Sequence, residues 1–377
     1  MEFRDLKRQY AQNKEAIDAA INKVLTNANF ISGKEVGELE DKLAAFVGRK
    51  YCISCANGTD ALQLALMAMG IGKGDAVFVP DFTFFATAEV VALLGATPVF
   101  VDIEEDTFNM NPNSLEKAVE KILKEENLCP RVVIPVDLFG LPADYSKIEE
   151  VAGKYSLKIL EDGAQGFGGR IGVQNACSFG DISTTSFFPA KPLGCYGDGG
   201  AIFTDDEESA KMIRSLCVHG KGTDKYDNVR IGLNSRLDTI QAAVLNIKLD
   251  VFKTFELARV NEIAEIYTEL LKDVVKAPIV PDGYFSSWAQ YSILLEDRDQ
   301  RDGLMEYLKE NDIPSMIYYK KPMHMQGAFN GDDNRCVECN ITESVCDRIL
   351  ALPMHPYLKE DEVVKVAEII KRFMLGE

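Results

Sequence analysis

The stretch YCISCANGTDALQLALMAM, residues 51–69, carries the reading that decides the fold. Residues 51–55 are a short apolar run of the kind that forms a buried strand. Ala56-Asn57-Gly58-Thr59-Asp60 then turns the chain, and residues 59–69 place apolar side chains at helical spacing. Strand, tight polar turn and buried helix make one βα unit, and the unit recurs outward from here. Further strands are predicted at 76–80, 97–101, 131–136, 157–161, 182–187 and 200–203. Helical patterns at 85–94, 113–124 and 145–155 separate them, with Gly or Pro punctuation. Alternation of this sort predicts an α/β fold, a largely parallel seven-stranded sheet with helices on both faces. The pattern occupies residues 1–250. From 251 onward it gives way to a long helix (255–272), a strand (290–295) and shorter helices, which predicts a smaller C-terminal α+β domain over 251–377. The polar run FNGDDNRCVECN, 329–340, reads as a surface loop.

Composition narrows the function classes. The chain has 377 residues, 46% apolar and 27% charged, the proportions of a globular protein. Its 59 Asp and Glu against 41 Lys and Arg leave a net charge of −18. Such a surface repels phosphate backbones, so no nucleic-acid partner is expected. No apolar run approaches the roughly 20 residues that span a bilayer, and MEFRDLKRQY lacks the apolar core of a signal peptide. A cytoplasmic protein without membrane insertion is expected.

Nine cysteines are too sparse for a disulfide scaffold and fit reduced thiols. Cys52 with Cys55, and Cys336 with Cys339, have C-x-x-C spacing. The first pair lies in the apolar strand. The second has His324 and Cys346 near it in sequence, a set able to bind zinc, although zinc ligands are usually more tightly spaced. Reduced structural thiols are the expectation, and no metal.

Ligands of open α/β sheets sit at the carboxyl ends of the strands, so the residues just past each strand come first. After the strand at 51–55, Gly58 permits close backbone approach, Thr59 offers a hydroxyl, and the helix start offers unpaired N–H groups, together a phosphate cradle or a plain N-cap. Glu161-Asp162-Gly163-Ala164-Gln165 puts a carboxylate where it can hold a protonated heterocycle, or simply meet solvent. Lys191 lies in FFPAKPLG, with no other charge before Asp198. Partial burial there favours the neutral amine that Schiff-base chemistry needs. Ser186 is a second phosphate-binding hydroxyl. Asn234 and Arg236, in a polar turn before a helix, either reach a ligand or cap the helix.

The motifs NGTDALQLAL (57–66), FTFFATAEVV (82–91), LGATPVFVDI (94–103), EDGAQGFGG (161–169), SFFPAKPLGCYGDGGAIFT (186–204), GLNSRLDTIQAAV (232–244) and LPMHPYL (352–358) follow one another in an order that resembles the DegT-type nucleotide-sugar aminotransferases. These are fold-type-I enzymes dependent on pyridoxal 5'-phosphate (PLP), and the resemblance spans essentially the whole chain. It implies that Lys191 carries PLP as a Schiff base, that Asp162 pairs with the pyridine nitrogen, and that Gln165 faces the ring hydroxyl. It further implies that Phe84 stacks on the ring and that Gly58, Thr59 and Ser186 hold the phosphate. Asn234 would reach the phosphate of a neighbouring subunit, making a homodimer with shared active sites. Gly163 stands where many relatives have Ala. The lysine at 191 argues against the family's dehydratases, which carry His there.

Within the family, the stretches around Lys191, Trp288-Ala289-Gln290-Tyr291 and 219–243 look most like the aminotransferases of UDP-2-acetamido-2-deoxy-3-keto-glucuronate. Those enzymes take the amino group from glutamate and serve bacterial surface-polysaccharide synthesis, including lipopolysaccharide. A uronate carboxylate calls for a basic partner, and Arg236 is placed for it, with Tyr318, Tyr319 and His324 as a second polar cluster. Tyr318 stands where relatives often have His. The alternatives are an aminotransferase for a dTDP-3- or 4-keto-6-deoxyhexose, a catalytically idle regulator built on the same fold, and a zinc-binding module.

Overall fold

The computed structural model describes residues 1–224, 226–329, 336 and 338–376. Most of the polar run 329–340 therefore lies outside the described residues. The chain opens with two helices, α1 (Leu6–Asn27) and α2 (Lys34–Val47), which the periodicity argument did not single out. The βα series then runs β1 (Tyr51–Cys55), α3 (Gly58–Ala68), β2 (Asp75–Pro80), α4 (Ala86–Leu93), β3 (Thr97–Val101), α5 (Pro112–Glu125), β4 (Cys129–Val133), α6 (Tyr145–Tyr155) and β5 (Lys158–Asp162). Two short strands, β6 (Arg170–Ile171) and β7 (Gln174–Asn175), precede β8 (Ile182–Ser186), β9 (Gly200–Thr204) and α7 (Glu207–Leu216).

Seven of these strands form one sheet in the order β1-β9-β8-β5-β4-β2-β3. From β8 to β3 every pairing is parallel, and β9 alone runs antiparallel to both its neighbours, β1 and β8. All seven strands expected from the sequence are present. The physical reason is burial on both faces. Val77 and Val79 pack on one side with α3, α4 and α7, while Phe78 packs on the other with α5 and α6. All three are fully buried, contributing about 1.5–3 kcal/mol each. Helix starts are fastened locally: the Asn57 side chain accepts from the Asp60 N–H at 2.7 Å, and Asn111 caps α5 ahead of Pro112.

Helix α8 (Thr239–Val251) passes through one π-turn, Phe252–Glu256, into α9 (Leu257–Leu271). Position 250 thus lies inside a continuous helical rod rather than in a linker. Beyond it come β10 (Tyr284–Phe285), β11 (Tyr291–Leu294), α10 (Arg298–Glu310), α11 (Asn340–Arg348), β12 (Ile349–Leu352) and α12 (Glu360–Leu375). Helices α9, α10 and α12 bury Ile263, Leu304 and Ile370 against the antiparallel pair β11–β12, a core separate from that of the large sheet. Helix α1 ties the two halves together, since Arg8 makes a paired contact with Glu362 at 2.7 and 2.8 Å. Among the described residues no helix is long and apolar enough to cross a membrane.

Candidate active site

Because β1, β2, β5 and β8 point the same way, the segments that leave their carboxyl ends meet on one edge of the sheet. They enclose a cavity of about 790 Å³. Nine of the residues singled out from the sequence line it: Gly58, Thr59, Phe84, Asp162, Gln165, Ser186, Lys191, Tyr318 and Tyr319. The first seven come from strand ends, and the two tyrosines come from the C-terminal half of the chain.

Asp162 is 4% exposed at the last position of β5. Its Oδ2 accepts the Thr87 hydroxyl at 2.9 Å and its Oδ1 accepts the Ala164 N–H at 3.2 Å. Burial pushes its carboxyl up, while those two hydrogen bonds and the charge of Lys191 pull it down. The Lys191 ammonium responds in the complementary direction. Burial lowers it to about 8, Asp162 opposes the shift, and Arg4 adds to it. Arg4 also donates to the Lys191 carbonyl at 2.6 Å.

The floor of the cavity is built around glycine. A Cβ on Gly58 would lie 2.7 Å from the Cβ of Ser186, so only glycine lets the α3 N-terminus close on the end of β8. A Cβ on Gly163 would lie 2.6 Å from Cys177 Sγ, which explains why this chain carries glycine there. Gln165 is held at both ends of its amide: Oε1 accepts the Phe139 N–H at 3.0 Å and Nε2 donates to the Tyr319 hydroxyl at 3.1 Å. Beneath it, Glu161 and Asp137 share a fully buried site. Burial pushes Asp137 up to about 6 and Glu161 upward as well, and the charge of Asp137 adds to the shift of Glu161. Glu161 is therefore a buried support rather than a solvated loop acid.

Three sequence candidates stand apart from the cavity. Asn234 is exposed, and Arg236 borders a separate cavity of about 970 Å³ with His219, Arg230 and Ile231. His324 is turned toward the buried Asp81, its Nδ1 2.6 Å from Oδ2. Conversely, sequence reasoning passed over Thr87, Arg4 and Gln290. Thr87 lies three residues after Phe84 in the same motif, a legible helical offset. Arg4 reaches Lys191 across 187 positions, with no local signal. Gln290 lines the cavity, and its buried Oε1 has no hydrogen-bond partner among the described residues.

Comparison with known proteins finds relatives along nearly the whole chain. The UDP-2-acetamido-2-deoxy-3-oxo-D-glucuronate aminotransferase of Pseudomonas aeruginosa is 45% identical over 359 residues, 95% of this chain and 96% of its own. The UDP-N-acetyl-3-dehydro-alpha-D-glucosamine 3-aminotransferase of Acidithiobacillus ferrooxidans is 39% identical over 373 residues, 99% and 97% of the two chains. Transaminases of dTDP-linked amino sugars stand further off, at 33% and 36%. A crystal structure of a DegT DnrJ EryC1 StrS aminotransferase from Brucella abortus matches with a TM-score of 0.96 and 52% identity, covering 99% of both chains. That of ntda from Bacillus subtilis, with bound cofactor PMP, matches with a TM-score of 0.85 and 27% identity over 97% of this chain and 82% of its own. The model of the DegT/DnrJ/EryC1/StrS aminotransferase family covers residues 11–371, and with this sheet, this lysine and this carboxylate around one cavity the chain belongs to that family.

Proposed function

We propose that this chain is a PLP-dependent transaminase of UDP-2-acetamido-2-deoxy-3-keto-glucuronate that takes its amino group from glutamate. The observation that carries this reading is the convergence of Lys191, Asp162 and the α3 N-terminus on one cavity. The residues present fit the cofactor. The Gly58–Ser186 contact leaves a backbone-lined recess that a side chain would fill, and the helix start favours an anion there. Phe84, 54% exposed on the cavity wall, presents an aromatic face.

PLP, when bound, supplies an electron sink for a carbanion at the carbon that gains or loses nitrogen. Lys191 is lowered to about 8, so a useful fraction of its Nζ is neutral near neutral pH. A neutral Nζ is both a nucleophile toward an aldehyde carbon and a carrier for a proton. An ionised Asp162 would hold a proton on the ring nitrogen through a charge-assisted hydrogen bond. Gln165 would meet the ring hydroxyl, and Gly58, Thr59 and Ser186 would hold the phosphate. Arg236, Tyr318 and Tyr319 read the sugar.

In this reading the enzyme is a cytoplasmic homodimer, with Asn234 and Arg236 completing the partner's site, and residues 1–250 and 251–377 act as its large and small domains. It serves surface-polysaccharide synthesis, lipopolysaccharide included. Both UDP-sugar relatives are more similar than the dTDP-sugar transaminases, which favours the uronate over the deoxyhexose.

The test is a panel of keto nucleotide-sugars incubated with the PLP-loaded protein and glutamate, with products read by mass spectrometry. A 3-amino product from the UDP-keto-uronate, and a borohydride-fixed pyridoxyl label on Lys191, are expected. Amination of only dTDP-keto-6-deoxyhexoses would overturn the substrate, and a label on another lysine would overturn the site.

A further inference from the structure

We propose that His324, Cys336 and Cys339 form a structural zinc site that clips the segment following Tyr319 to the carboxyl end of β2. One ligand atom of each residue lies within 4.8 Å of the others, although fifteen positions separate the histidine from Cys339. The two sulfurs are 2.9 Å apart. On a tetrahedral zinc with bonds of about 2.3 Å they would stand about 3.7 Å apart, an opening of less than ~1 Å. Two thiolates and an imidazole are a zinc donor set.

The histidine is oriented as metal-bound histidines are. Its Nδ1 lies 2.6 Å from Asp81 Oδ2, and its backbone N–H donates to Asp81 Oδ1 at 2.8 Å. Asp81 is fully buried, so this carboxylate fixes both the tautomer and the ring plane and leaves Nε2 to face a metal. Glu343, in the first turn of α11, has Oε1 3.6 Å from Nε2 but brings no oxygen within 4.8 Å of all three ligand atoms, so the fourth position is left to water. Cysteine placement is equally determined. The Cys336 carbonyl accepts Lys121 Nζ at 3.0 Å and its backbone bridges to Phe100, while Cys339 is 2% exposed at the start of α11. Cys346, the fourth residue the sequence brought into question, is buried among Phe82, Ile103 and Ile349 instead. Both cysteines stay reduced, as the sequence leads one to expect, and the proposed role for them is metal binding.

Its location gives it a purpose. Asp81 lies three residues before Phe84, and His324 lies five after Tyr319, so one ion would tie together two segments that face the cavity. It sits behind the wall rather than in the reacting space, so the ion takes no part in the chemistry.

Full-length protein purified under reducing conditions should contain about one zinc per chain by elemental mass spectrometry. Cys336→Ser, Cys339→Ser and His324→Ala should each lower that content at least tenfold. Asp81→Asn should weaken zinc affinity by about 10–100-fold while leaving one ion bound at saturation. If the variants do not fold, the wild-type metal content and the thiolate-to-cobalt absorption of a cobalt-substituted sample decide the matter. A metal-free wild-type protein that also fails to take up zinc would overturn the proposal, and so would a Cys336–Cys339 disulfide under reducing conditions.

Discussion

Thr87 donates its hydroxyl hydrogen to Oδ2 of Asp162 at 2.9 Å, and Thr83 lies 3.1 Å from the same hydroxyl. A donated Thr87 proton leaves its oxygen to accept from Thr83, so a short relay of two threonines opposes the burial that pushes this carboxyl up. The relay spans β5 and the start of α4, which follows β2 on the far side of β4, so the charge of Asp162 depends on how these segments pack across the sheet's carboxyl edge.

Thr87→Val keeps the shape and removes the donor. Asp162 is then pushed further up, and a higher pH is needed to ionise it. The acid limb of the kcat profile should move to higher pH, and kcat near neutrality should fall about tenfold, the equivalent of one charge-assisted hydrogen bond of about 1.5 kcal/mol. Asp162→Asn should bind PLP yet lose at least one to two decades of turnover. An unshifted acid limb in Thr87→Val would show that the relay does not set the charge.

Gly58→Ala places a methyl group 2.7 Å from the Ser186 Cβ, between two backbone segments that cannot both move aside. Overpacking of this kind costs about 1–3 kcal/mol. The variant should melt at a lower temperature and bind PLP at least tenfold more weakly, as followed by the absorbance of the bound cofactor. Cofactor affinity equal to wild type would place the phosphate elsewhere.

His355 should cost the folded state stability as pH falls from 7 to 5. The ring is 2% exposed, and burial lowers it to about 4, with Arg4 and Arg8 reinforcing the shift and Asp5 and Glu362 opposing it. The folded state keeps His355 neutral where the unfolded chain, near 6.5, takes up a proton. Its contribution is therefore complete above about pH 6.5 and is lost as pH falls through 4. The His355 contribution, read in urea unfolding as the difference between wild type and His355→Gln, should shrink by about 2 kcal/mol between pH 7 and 5, while the buried acids Asp137 and Glu161, both pushed up, act in the opposite direction in both proteins. Glu362, held down to about 2 by its hydrogen bonds with Arg8, loses its contribution only below its ordinary value of 4.5, outside this window. In His355→Gln stability should therefore decline less, or rise more, from pH 7 to 5 than in wild type, and identical pH slopes would remove His355 from this role.

Mixing Lys191→Ala protein with Asn234→Ala/Arg236→Ala protein should restore part of the activity that each lacks. A hybrid dimer would hold one site with both the lysine and an intact 234–236 turn. Exchange of subunits without recovery would place that turn in its own chain's site. Arg236→Ala alone should raise KM for a uronate far more than for a neutral keto-sugar, since only the uronate loses a charge partner.

The seven strands, their order in the chain and the residues at their carboxyl ends were all legible in the sequence, because strand periodicity and turn chemistry are local. Gly58, Asp162, Ser186 and Lys191 each sit next to a strand end that the apolar runs mark. What the tertiary structure alone decided is which distant segments meet there. Arg4 contacts Lys191 only because the segment ahead of α1 folds back to the end of β8, and Gln165 finds Tyr319 only because the second half of the chain folds back over the sheet. Glu161 and Asp137 read as ordinary surface acids until β5 is buried on both faces. His324, Cys336 and Cys339 carry irregular spacing, so their convergence follows from the packing of α11 against the end of β2. Spacing along the chain encodes contacts within a turn or a strand; contacts across the core depend on how apolar faces pair, and that pairing is written in no single stretch.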